Sequence, residues 1–353
     1  MDDSIKPINR RQKYILSLID ILWPVNRIVL QENISNLEAV SKPTLIRDLN
    51  LLIKLGLIVP SGKGPSIRYS PINKNPLIKY YDLEAYFSVD PDKRIGAKKE
   101  FEFSVFNNLK KLFNENELLT LKINSKNFRL ETKKLDRETL KKELERFTIE
   151  LAWKSSKIEG NTYSLLETEK LIKEFEEAKD KTKQERQMII NHKNAFESIL
   201  SNRLDFKHLT LATINQLHNI LTYGLGIDPG IRKNAVGITG TVYKPLDNQF
   251  QIQEAMEKAV QAINNNPNNY EKAFLAGVII AYIQPYIDGN KRTSRMLTNA
   301  VLLSHNLYPL SYRSIDEDEY KKALILFYER NSLFHLKRIF IDQFIFANKT
   351  YFS

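Results

Sequence analysis

One short stretch of the chain concentrates residues of the types that bind phosphate. It contains, in close succession, Asp288, Gly289, Asn290, Lys291, Arg292 and Arg295. Glycine and asparagine tolerate positive φ angles, so the first three residues are expected to form a loop, and the cations follow in the first turns of a predicted helix. A glycine loop that leads into a helix N-terminus presents unpaired N–H groups and the positive end of the helix dipole, which suits phosphate. Asp288 adds a carboxylate that could hold Mg²⁺ against phosphate oxygens.

Two apolar segments flank this loop and position it. Residues 273–283 lead in and residues 296–303 lead out, and both have the composition of buried helices. Helices predicted earlier in the chain carry His192 and His218. The sequence assigns neither histidine a partner.

Residues 284–295 resemble the signature of the Fic family, H-P-F-x-D/E-G-N-G-R-x-x-R, whose members mostly transfer AMP from ATP to a protein hydroxyl. The matching residues are Pro285, Tyr286 in place of Phe, Asp288, Gly289, Asn290, Arg292 and Arg295. Two positions depart from the signature. Gln284 stands where the family has its catalytic His, and Lys291 stands where it has a second Gly. The run Asn-Lys-Arg-Thr is closer to the Doc branch, whose members phosphorylate instead.

The resemblance implies a role for each residue toward ATP. Asp288 would hold Mg²⁺ between the α- and β-phosphates, and Gly289 with Asn290 would form the anion nest. Arg292 would bind β/γ oxygens, and Arg295 would bind the γ-phosphate. Lys291 would add a long cation at a position where the family has bare backbone, which could change the orientation of the nucleotide.

The proton acceptor is missing from this set. His suits general-base work near neutral pH, whereas the Gln284 amide can only form hydrogen bonds. Three functions therefore remain open. The chain is a slow Fic-type adenylyltransferase, a nucleotide-binding regulator that has lost catalysis, or a Doc-like phosphotransferase.

A second motif precedes the signature by more than a hundred residues. Ser155, Glu159 and Gly160 resemble the inhibitory motif S/T-x-x-x-E-G/N of Fic proteins, at the end of a helix that Asp136 is predicted to cap. In the family this glutamate pairs with the last arginine of the signature and blocks the γ-phosphate position. Here the resemblance implies a pair between Glu159 and Arg295.

A β-hairpin is predicted over residues 236–245, where glycines alternate with extended-type residues. Its position after Gly230-Ile231-Arg232 resembles the Fic flap, which lies over the active site and pairs with the backbone of the target protein. The residues expected to bind the target are Gly240, Thr241, Val242 and Tyr243.

The first 75 residues have the pattern of a winged helix-turn-helix, with helices followed by a basic hairpin. A helix from Ser41 to Gly56 is expected to enter the major groove of duplex DNA and the hairpin to contact phosphates. The residues predicted to bind DNA are Lys42, Thr44, Arg47, Lys63 and Arg68. Winged helices also serve as protein-interaction or dimerisation modules, and the sequence leaves that alternative open.

The composition limits the class of protein. The 353-residue chain has a net charge of +11, which favours polyanionic partners, and no cysteine, which excludes disulfides and thiolate metal sites. No apolar run approaches the roughly 20 residues that cross a bilayer, and the start of the chain is polar, unlike a signal peptide. We expect a cytoplasmic protein without a membrane partner, whose partners are a nucleotide, a target protein, duplex DNA or a second copy of the chain.

The predicted fold is mainly α. It consists of a Fic-type helical core with a β-hairpin flap, preceded by an α+β winged-helix domain. The expected domains are residues 1–75 for the winged helix, 76–135 for a helical linker region, 136–310 for the Fic core with its inhibitory helix, and 311–353 for C-terminal helices packed on that core.

Overall fold

The structure, a computed structural model, describes residues 8–35, 39–72 and 75–352. The chain divides into two compact units, Met1–Asp82 and Leu83–Ser353. The first unit extends past the predicted boundary at residue 75, since it includes the 3₁₀ turn Pro76–Ile78 with its buried Leu77 and Ile78. The polar start of the chain, which is unlike a signal peptide in sequence, lies outside the described residues.

The described part of the first unit contains three α-helices and a small antiparallel sheet. Its elements are α1 (Arg10–Leu22), β1 (Val25–Asn26), α2 (Arg27–Ser35), α3 (Lys42–Lys54), β2 (Ile58–Ser61) and β3 (Arg68–Pro71). The sheet order is β1-β3-β2, with Ser61 opposite Arg68 in the hairpin and Val25 opposite Tyr69 at the other edge. Ser41 caps α3 as predicted, its hydroxyl accepting from the Thr44 N–H.

A buried acid joins two helices of this unit. Asp48 on α3 accepts a bond of 2.6 Å from Arg11 Nε and another of 2.8 Å from Gln12 Nε2, both on α1. These bonds neutralise the only acid of α3, so the exposed face of this helix is cationic.

The second unit is helical. Its first helices are α4 (Leu83–Phe87), α5 (Glu115–Ile123), α6 (Phe128–Lys134), α7 (Arg137–Ile158), α8 (Leu165–Glu174) and α9 (Lys183–Ser201). The remaining helices are α10 (Leu211–Thr222), α11 (Gln249–Asn264), α12 (Asn269–Ile283), α13 (Asn290–Ser304), α14 (Glu317–Arg330) and α15 (Phe334–Thr350). Asp136 caps α7, its carboxylate accepting from two backbone N–H groups of the first turn. No helix in the described part of the chain is long and apolar enough to cross a membrane.

The helices α12 and α13 form the centre of this unit. Every residue of α13 except Lys291 is buried, including two arginines, and α12 is apolar and buried from Ala273 to Ile283 with the exception of Gly277. A side chain at Gly277 would place its Cβ 2.3 Å from Thr298 Oγ1, so the glycine permits the close approach of the two helices. A helix buried on all sides carries its polar groups into the interior, where they must find partners.

The structure corrects the predicted β-hairpin over residues 236–245. This segment is an extended loop with a turn at Thr239 and Gly240, and the paired strands of the described chain lie in the first unit instead. The loop uses its polar groups elsewhere. The Lys244 N–H donates to Lys99 O at 2.8 Å, and Val242 N and Thr241 Oγ1 both contact one carboxylate oxygen of Glu329.

Candidate functional site

The site is built on the loop between α12 and α13. The first of these helices ends where Gln284 takes a left-handed conformation, with φ 52° and ψ 57°. Tyr286 and Asn290 close the loop reciprocally, because Tyr286 N donates to Asn290 Oδ1 at 2.9 Å and Asn290 Nδ2 donates to Tyr286 O at 2.8 Å. The Asn290 side chain is therefore committed to the loop, and the anion nest predicted at Gly289 and Asn290, which would use backbone N–H groups, stays a prediction.

His218 on α10 packs against the loop and holds it by a hydrogen bond. Its Nε2 donates to Asp288 O at 2.9 Å, and its ring stacks on Tyr286 with 3.6 Å between the ring centroids. Gly289 follows with φ +81°, and a Cβ there would lie 2.9 Å from Thr222 Cγ2. Glycine is thus required at this position by conformation and by space.

Arg232 holds the start of the loop. This buried arginine donates through Nε to Gln284 O at 2.7 Å, and its backbone N–H donates to Pro285 O at 2.9 Å. A further guanidinium nitrogen donates to Asn234 O at 2.7 Å. The segment after Gly230 is therefore fixed to the signature loop, a role of Arg232 that was not predicted from the sequence.

A cavity of about 430 Å³ opens in front of this loop. Its walls come from the end of α7, the segment 236–239, the signature loop and α14, and the lining residues are Glu159, Val236, Gly237, Ile238, Thr239, Gln284, Ile287, Asp288, Gly289, Asn290, Lys291, Lys321, Leu324, Ile325 and Tyr328. No side chain caps the N-terminus of α13 within the described structure, and Gly289 is its N-cap residue. The first N–H groups of α13 therefore lack partners within the helix at the edge of the cavity, an arrangement that binds anions.

Neither of the two signature arginines is among the described residues that line this cavity. Arg292 is buried and turns toward α10, with Nη1 3.4 Å from Leu221 O and Nη2 3.2 Å from Asp288 Oδ2. Burial lowers the pKa of Arg292 and the Asp288 carboxylate opposes that effect. In this conformation Arg292 braces the loop rather than facing the cavity.

Arg295 is covered by Glu159, the residue at the end of α7. The ion pair joins Arg295 Nη2 and Glu159 Oε1 at 2.8 Å, and Lys291 Nζ lies 3.5 Å from the other carboxylate oxygen. Gly160 follows with φ +93°, which turns the chain away from the helix. The pairing of Glu159 with Arg295 that the resemblance implied is thus present, with Lys291 as an additional cation.

The charge state of Glu159 follows from these neighbours. Burial alone would raise its pKa, but the positive charges of Arg295 and Lys291 outweigh burial and lower the pKa of Glu159 to about 2. The carboxylate is therefore ionised throughout the physiological range and remains attracted to the two cations.

The position of the family's catalytic histidine holds no proton acceptor. Gln284 Nε2 donates to Ala281 O at 2.6 Å, which fixes its amide against α12. The neighbouring Tyr328 also lines the cavity, and its hydroxyl is buried. Burial raises the pKa of Tyr328 above its ordinary value, so this hydroxyl stays protonated and can only exchange hydrogen bonds with a ligand.

The predicted target-binding residues lie away from the cavity. Tyr243 is buried, with its ring stacked against Tyr282 at 5.3 Å and its hydroxyl donating to Tyr282 O at 2.9 Å. The part of the loop that reaches the cavity is the preceding segment, 236–239. The Thr241 and Tyr243 hydroxyls and the Val242 N–H are used within the chain, and the predicted contact of Gly240, Thr241, Val242 and Tyr243 with a target stays a prediction.

Glu329 on α14 anchors this loop. Its carboxylate accepts from Thr241 Oγ1 at 2.7 Å and from Tyr86 at 2.8 Å, and it forms an ion pair of 3.1 Å with Arg94. Arg94 also donates to Gly240 O at 3.0 Å. One fully buried acid thus fastens the segment after α4 and the loop to α14.

In the first unit, four of the five residues predicted to bind DNA are exposed: Lys42, Arg47, Lys63 and Arg68. The fifth is committed elsewhere, since the Thr44 hydroxyl lies 2.8 Å from the Ser41 hydroxyl within the helix cap. Asn50 and Lys54 share the exposed face of Arg47, at three and seven residues along α3, and neither was predicted to bind DNA.

Comparison with known proteins agrees with this architecture. Residues 208–302 match the model of the Fic/DOC family. The chain is 28% identical over 174 residues to the protein adenylyltransferase Fic of Drosophila mojavensis, covering 48% of this chain and 34% of that protein. It is also 28% identical over 158 residues to the protein of the same name from Drosophila ananassae, covering 43% and 31%. The aligned part is therefore about a third of the length of these relatives.

Two solved structures share the fold. A Fic domain containing signaling protein from Bacteroides thetaiotaomicron superposes with a TM-score of 0.53 at 22% identity, covering 65% of this chain and 94% of that one. The aa134–508 fragment of Fic-1 from C. elegans gives a TM-score of 0.56 at 17% identity, covering 66% and 71%. The helical unit therefore has the Fic fold. Residues 208–302 of this chain form a Fic/DOC family domain.

Proposed function

We propose that this protein binds ATP with Mg²⁺ in the cavity before α13, that Glu159 restrains this binding, and that transfer of AMP to a protein hydroxyl is impaired by Gln284. The observation that carries the proposal is the uncapped N-terminus of α13, which lines one cavity together with Lys291 and with Glu159, the ion-pair partner of the buried Arg295. The adenylyltransferase names of the relatives support the choice of ATP.

The phosphates of the nucleotide are expected at the N–H groups of α13. Backbone donors at a helix start bind phosphate without a counter-charge of their own, and Lys291 supplies one on the same turn. Arg295 can reach a terminal phosphate only when Glu159 leaves it, since the two groups are already paired at 2.8 Å. A ligand with a third phosphate therefore competes with Glu159, whereas a shorter one does not.

Asp288 suits a magnesium ion in this arrangement. Its side chain is 67% exposed, and Mg²⁺ in nucleotide sites is bound by one or two carboxylates together with phosphates and water. When bound, the ion would neutralise phosphate charge. The Asp288 carbonyl is held by His218 and the Gly289 N–H donates to its carboxylate at 2.5 Å, so the chain presents this acid in a fixed position.

Catalysis is the step that this chain supports poorly. An attacking hydroxyl must lose a proton, and neither the Gln284 amide nor the protonated Tyr328 hydroxyl can accept one. The donors around the cavity still bind and polarise a nucleotide. A target protein, if one is modified, would meet the segment 236–239 that borders the cavity.

Calorimetry of ATP binding with Mg²⁺ and with a chelator tests the proposal. We expect Mg²⁺ to tighten binding by about 10- to 100-fold, as a charge-assisted contact does. Asp288→Ala should abolish this difference. Asp318→Ala is a matched control, because Asp318 is similarly exposed at 76% and also forms an i,i+4 ion pair, with Lys322 at 2.9 Å. Failure of the unmutated protein to bind ATP at all would refute the proposal.

A second candidate function belongs to the first unit. We propose that it is a winged helix that binds duplex DNA, supported by the exposed Lys42, Arg47 and Lys54 on one helix and by Lys63 and Arg68 on the hairpin. The burial of Asp48 removes the one acid that would oppose phosphate on that helix.

A further inference from the structure

We infer that His192 is a positioning residue, which acts through the Ser155 hydroxyl to fix Arg295 in the orientation that holds Glu159 or, in its place, a terminal phosphate. The inference deepens the proposed function and rests on it for the identity of the ligand. The juxtaposition that carries it is a continuous buried chain of hydrogen bonds from α9 through α7 to α13.

The chain of contacts is short at every step. His192 Nε2 lies 2.8 Å from Ser155 Oγ, and Arg295 Nε lies 2.9 Å from the same oxygen. Arg295 Nη2 also lies 2.9 Å from the Ser155 carbonyl oxygen and 2.8 Å from Glu159 Oε1. Both side-chain partners are as buried as the arginine, with exposures of 0% for His192 and 1% for Ser155. Ser155 thus contacts the whole Nε–Nη2 edge of the guanidinium.

The direction of each bond is dictated by chemistry. A guanidinium can only donate, so Arg295 Nε–H donates to Ser155 Oγ. Met188 O can only accept, so His192 Nδ1, at 2.8 Å from it, carries the ring proton and donates. In the neutral ring Nε2 is then an acceptor, and the Ser155 hydroxyl donates its proton to it at 2.8 Å. The neutral ring in this single tautomer satisfies every bond in the chain.

The surroundings keep this ring neutral. Burial, reinforced by the positive charges of Arg292 and Arg295, lowers the pKa of His192 to about 3, against the opposing effects of the Met188 carbonyl and Glu159. The acceptor at Nε2 is therefore present at every pH where the protein would normally work. The ring does not titrate with its ordinary pKa near 6.5.

The consequence concerns which anion Arg295 holds. If Ser155 Oγ is removed, or loses the His192 acceptor that turns its proton away from Arg295, the Nε–H bond weakens. The contacts of the guanidinium with Glu159 and with phosphate then both weaken. In the unmutated protein a weaker contact with Glu159 favours ATP binding and a weaker contact with phosphate disfavours it, so the two effects offset one another. The role of His192 is therefore visible when Glu159 has been removed, because the phosphate contact then stands alone.

The experiment measures the ratio of ATP to ADP affinity in a Glu159→Ala background. Ser155→Ala and His192→Leu should lower this ratio roughly tenfold, as expected for the loss of one charge-assisted contact. His192→Gln, whose amide oxygen can accept near the position of Nε2, should keep the ratio within about threefold. Ser156→Ala is the matched control, since Ser156 is an adjacent, equally buried serine that contacts the opposite ring nitrogen of His192 at 3.3 Å.

A ratio unchanged by Ser155→Ala and His192→Leu in folded protein would overturn the inference. A ratio that falls with a midpoint near pH 6.5 would overturn it too, since the relay requires a neutral ring. If the Glu159→Ala protein binds no ATP, the proposed function fails, and nuclear magnetic resonance then decides the positioning role alone. Slow hydrogen exchange of the Arg295 Nε–H should persist in Ser156→Ala and be lost in His192→Leu, whereas equal exchange in both variants would refute it.

Discussion

Replacing Glu159 by alanine tests the restraint on the site most directly. Glu159 and Arg295 are paired at 2.8 Å, and the arginine is 1% exposed. The substitution leaves a buried cation without its carboxylate. A nucleotide with a third phosphate can then replace that carboxylate, whereas one with two phosphates cannot. We therefore expect the variant to be less stable without ligand and more selective for ATP over ADP.

The structure sets the size of both effects. Removing one partner of a buried ion pair costs about 3–5 kcal/mol, and the 17% exposure of Glu159 favours the lower end of that range for the free energy of unfolding. The gain in ATP over ADP binding is that of a charge-assisted bond to phosphate, about 1.5–3 kcal/mol, or roughly 10- to 150-fold in the affinity ratio.

Calorimetric titration with ATP and ADP, together with urea unfolding without nucleotide, measures both quantities. Glu159→Gln retains the size of the side chain without its charge and should show most of the selectivity change. Glu317→Ala is the control, because Glu317 on α14 forms another ion pair of 2.8 Å with a residue of α7, Lys154. This variant should leave the ratio of ATP to ADP affinity unchanged. Equal changes in ATP and ADP affinity in the Glu159→Ala protein would refute the competition.

The pH dependence of this restraint has a definite sign. The pKa of Glu159 is lowered to about 2 in the folded protein, below the ordinary value near 4.3. The group therefore contributes stability that is fully present above about pH 4.3 and is lost as the pH falls toward 2. The ATP to ADP ratio of the unmutated protein should be constant between pH 5 and 8.

Three further predictions concern the rest of the molecule. Gln284→His combined with Glu159→Ala should raise labelling from α-labelled ATP by about 10²–10⁴, the contribution of a general base, and strong labelling by the unmutated protein would show that another base serves. Gly289→Ala should lower the free energy of unfolding in urea by about 2–4 kcal/mol, because Gly289 has a φ of +81° and its added Cβ would meet Thr222. Gly226 has a φ of +70° with open space around it, so Gly226→Ala should lower the same free energy by only about 1 kcal/mol. The 353-residue chain should bind duplex DNA with an affinity that falls steeply with salt, and Arg47→Ala should reduce the salt slope by about one phosphate contact. No binding at low salt would contradict the DNA hypothesis.

Local chemistry explains what the sequence could predict. Ser41 and Asp136 cap helices where a polar side chain precedes an apolar periodic segment, and such caps involve only neighbouring residues. The mainly helical fold also follows from periodicity. The contact of Glu159 with Arg295 was predicted through the family motifs alone, because no local pattern joins residues 136 positions apart.

Tertiary contacts explain what the sequence could not predict. Residues 98–113 have the apolar spacing of a helix, yet only Phe103–Asn108 forms a 3₁₀ helix. The start of this segment is extended because Lys98 N donates to Glu329 O at 2.8 Å and Glu102 N donates to the Tyr282 hydroxyl at 3.0 Å. The predicted hairpin over 236–245 is absent for the same reason, since its donors are used by distant groups.

The roles of single side chains were the hardest to foresee. His192 and His218 have no sequence neighbours that reveal a partner, and both contact residues that are tens of positions away. Arg292 matches its motif position but is turned toward α10, where it contacts Leu221 O and Asp288. A motif therefore fixes the residue type more securely than the direction of the side chain.

The buried Glu329 has a consequence for how this protein can be shortened. The Glu329 carboxylate contacts Tyr86 and Arg94, which precede the matched residues 208–302, and Thr241, which lies within them. Glu329 itself follows the matched residues. A truncated chain that starts after Arg94 would leave this acid without its ion-pair partner, and one that stops before α14 would release the loop at the cavity. Domain transplants and protease-trimmed fragments should accordingly keep Leu83 to α15 intact, because the matched segment is not a separable folding unit.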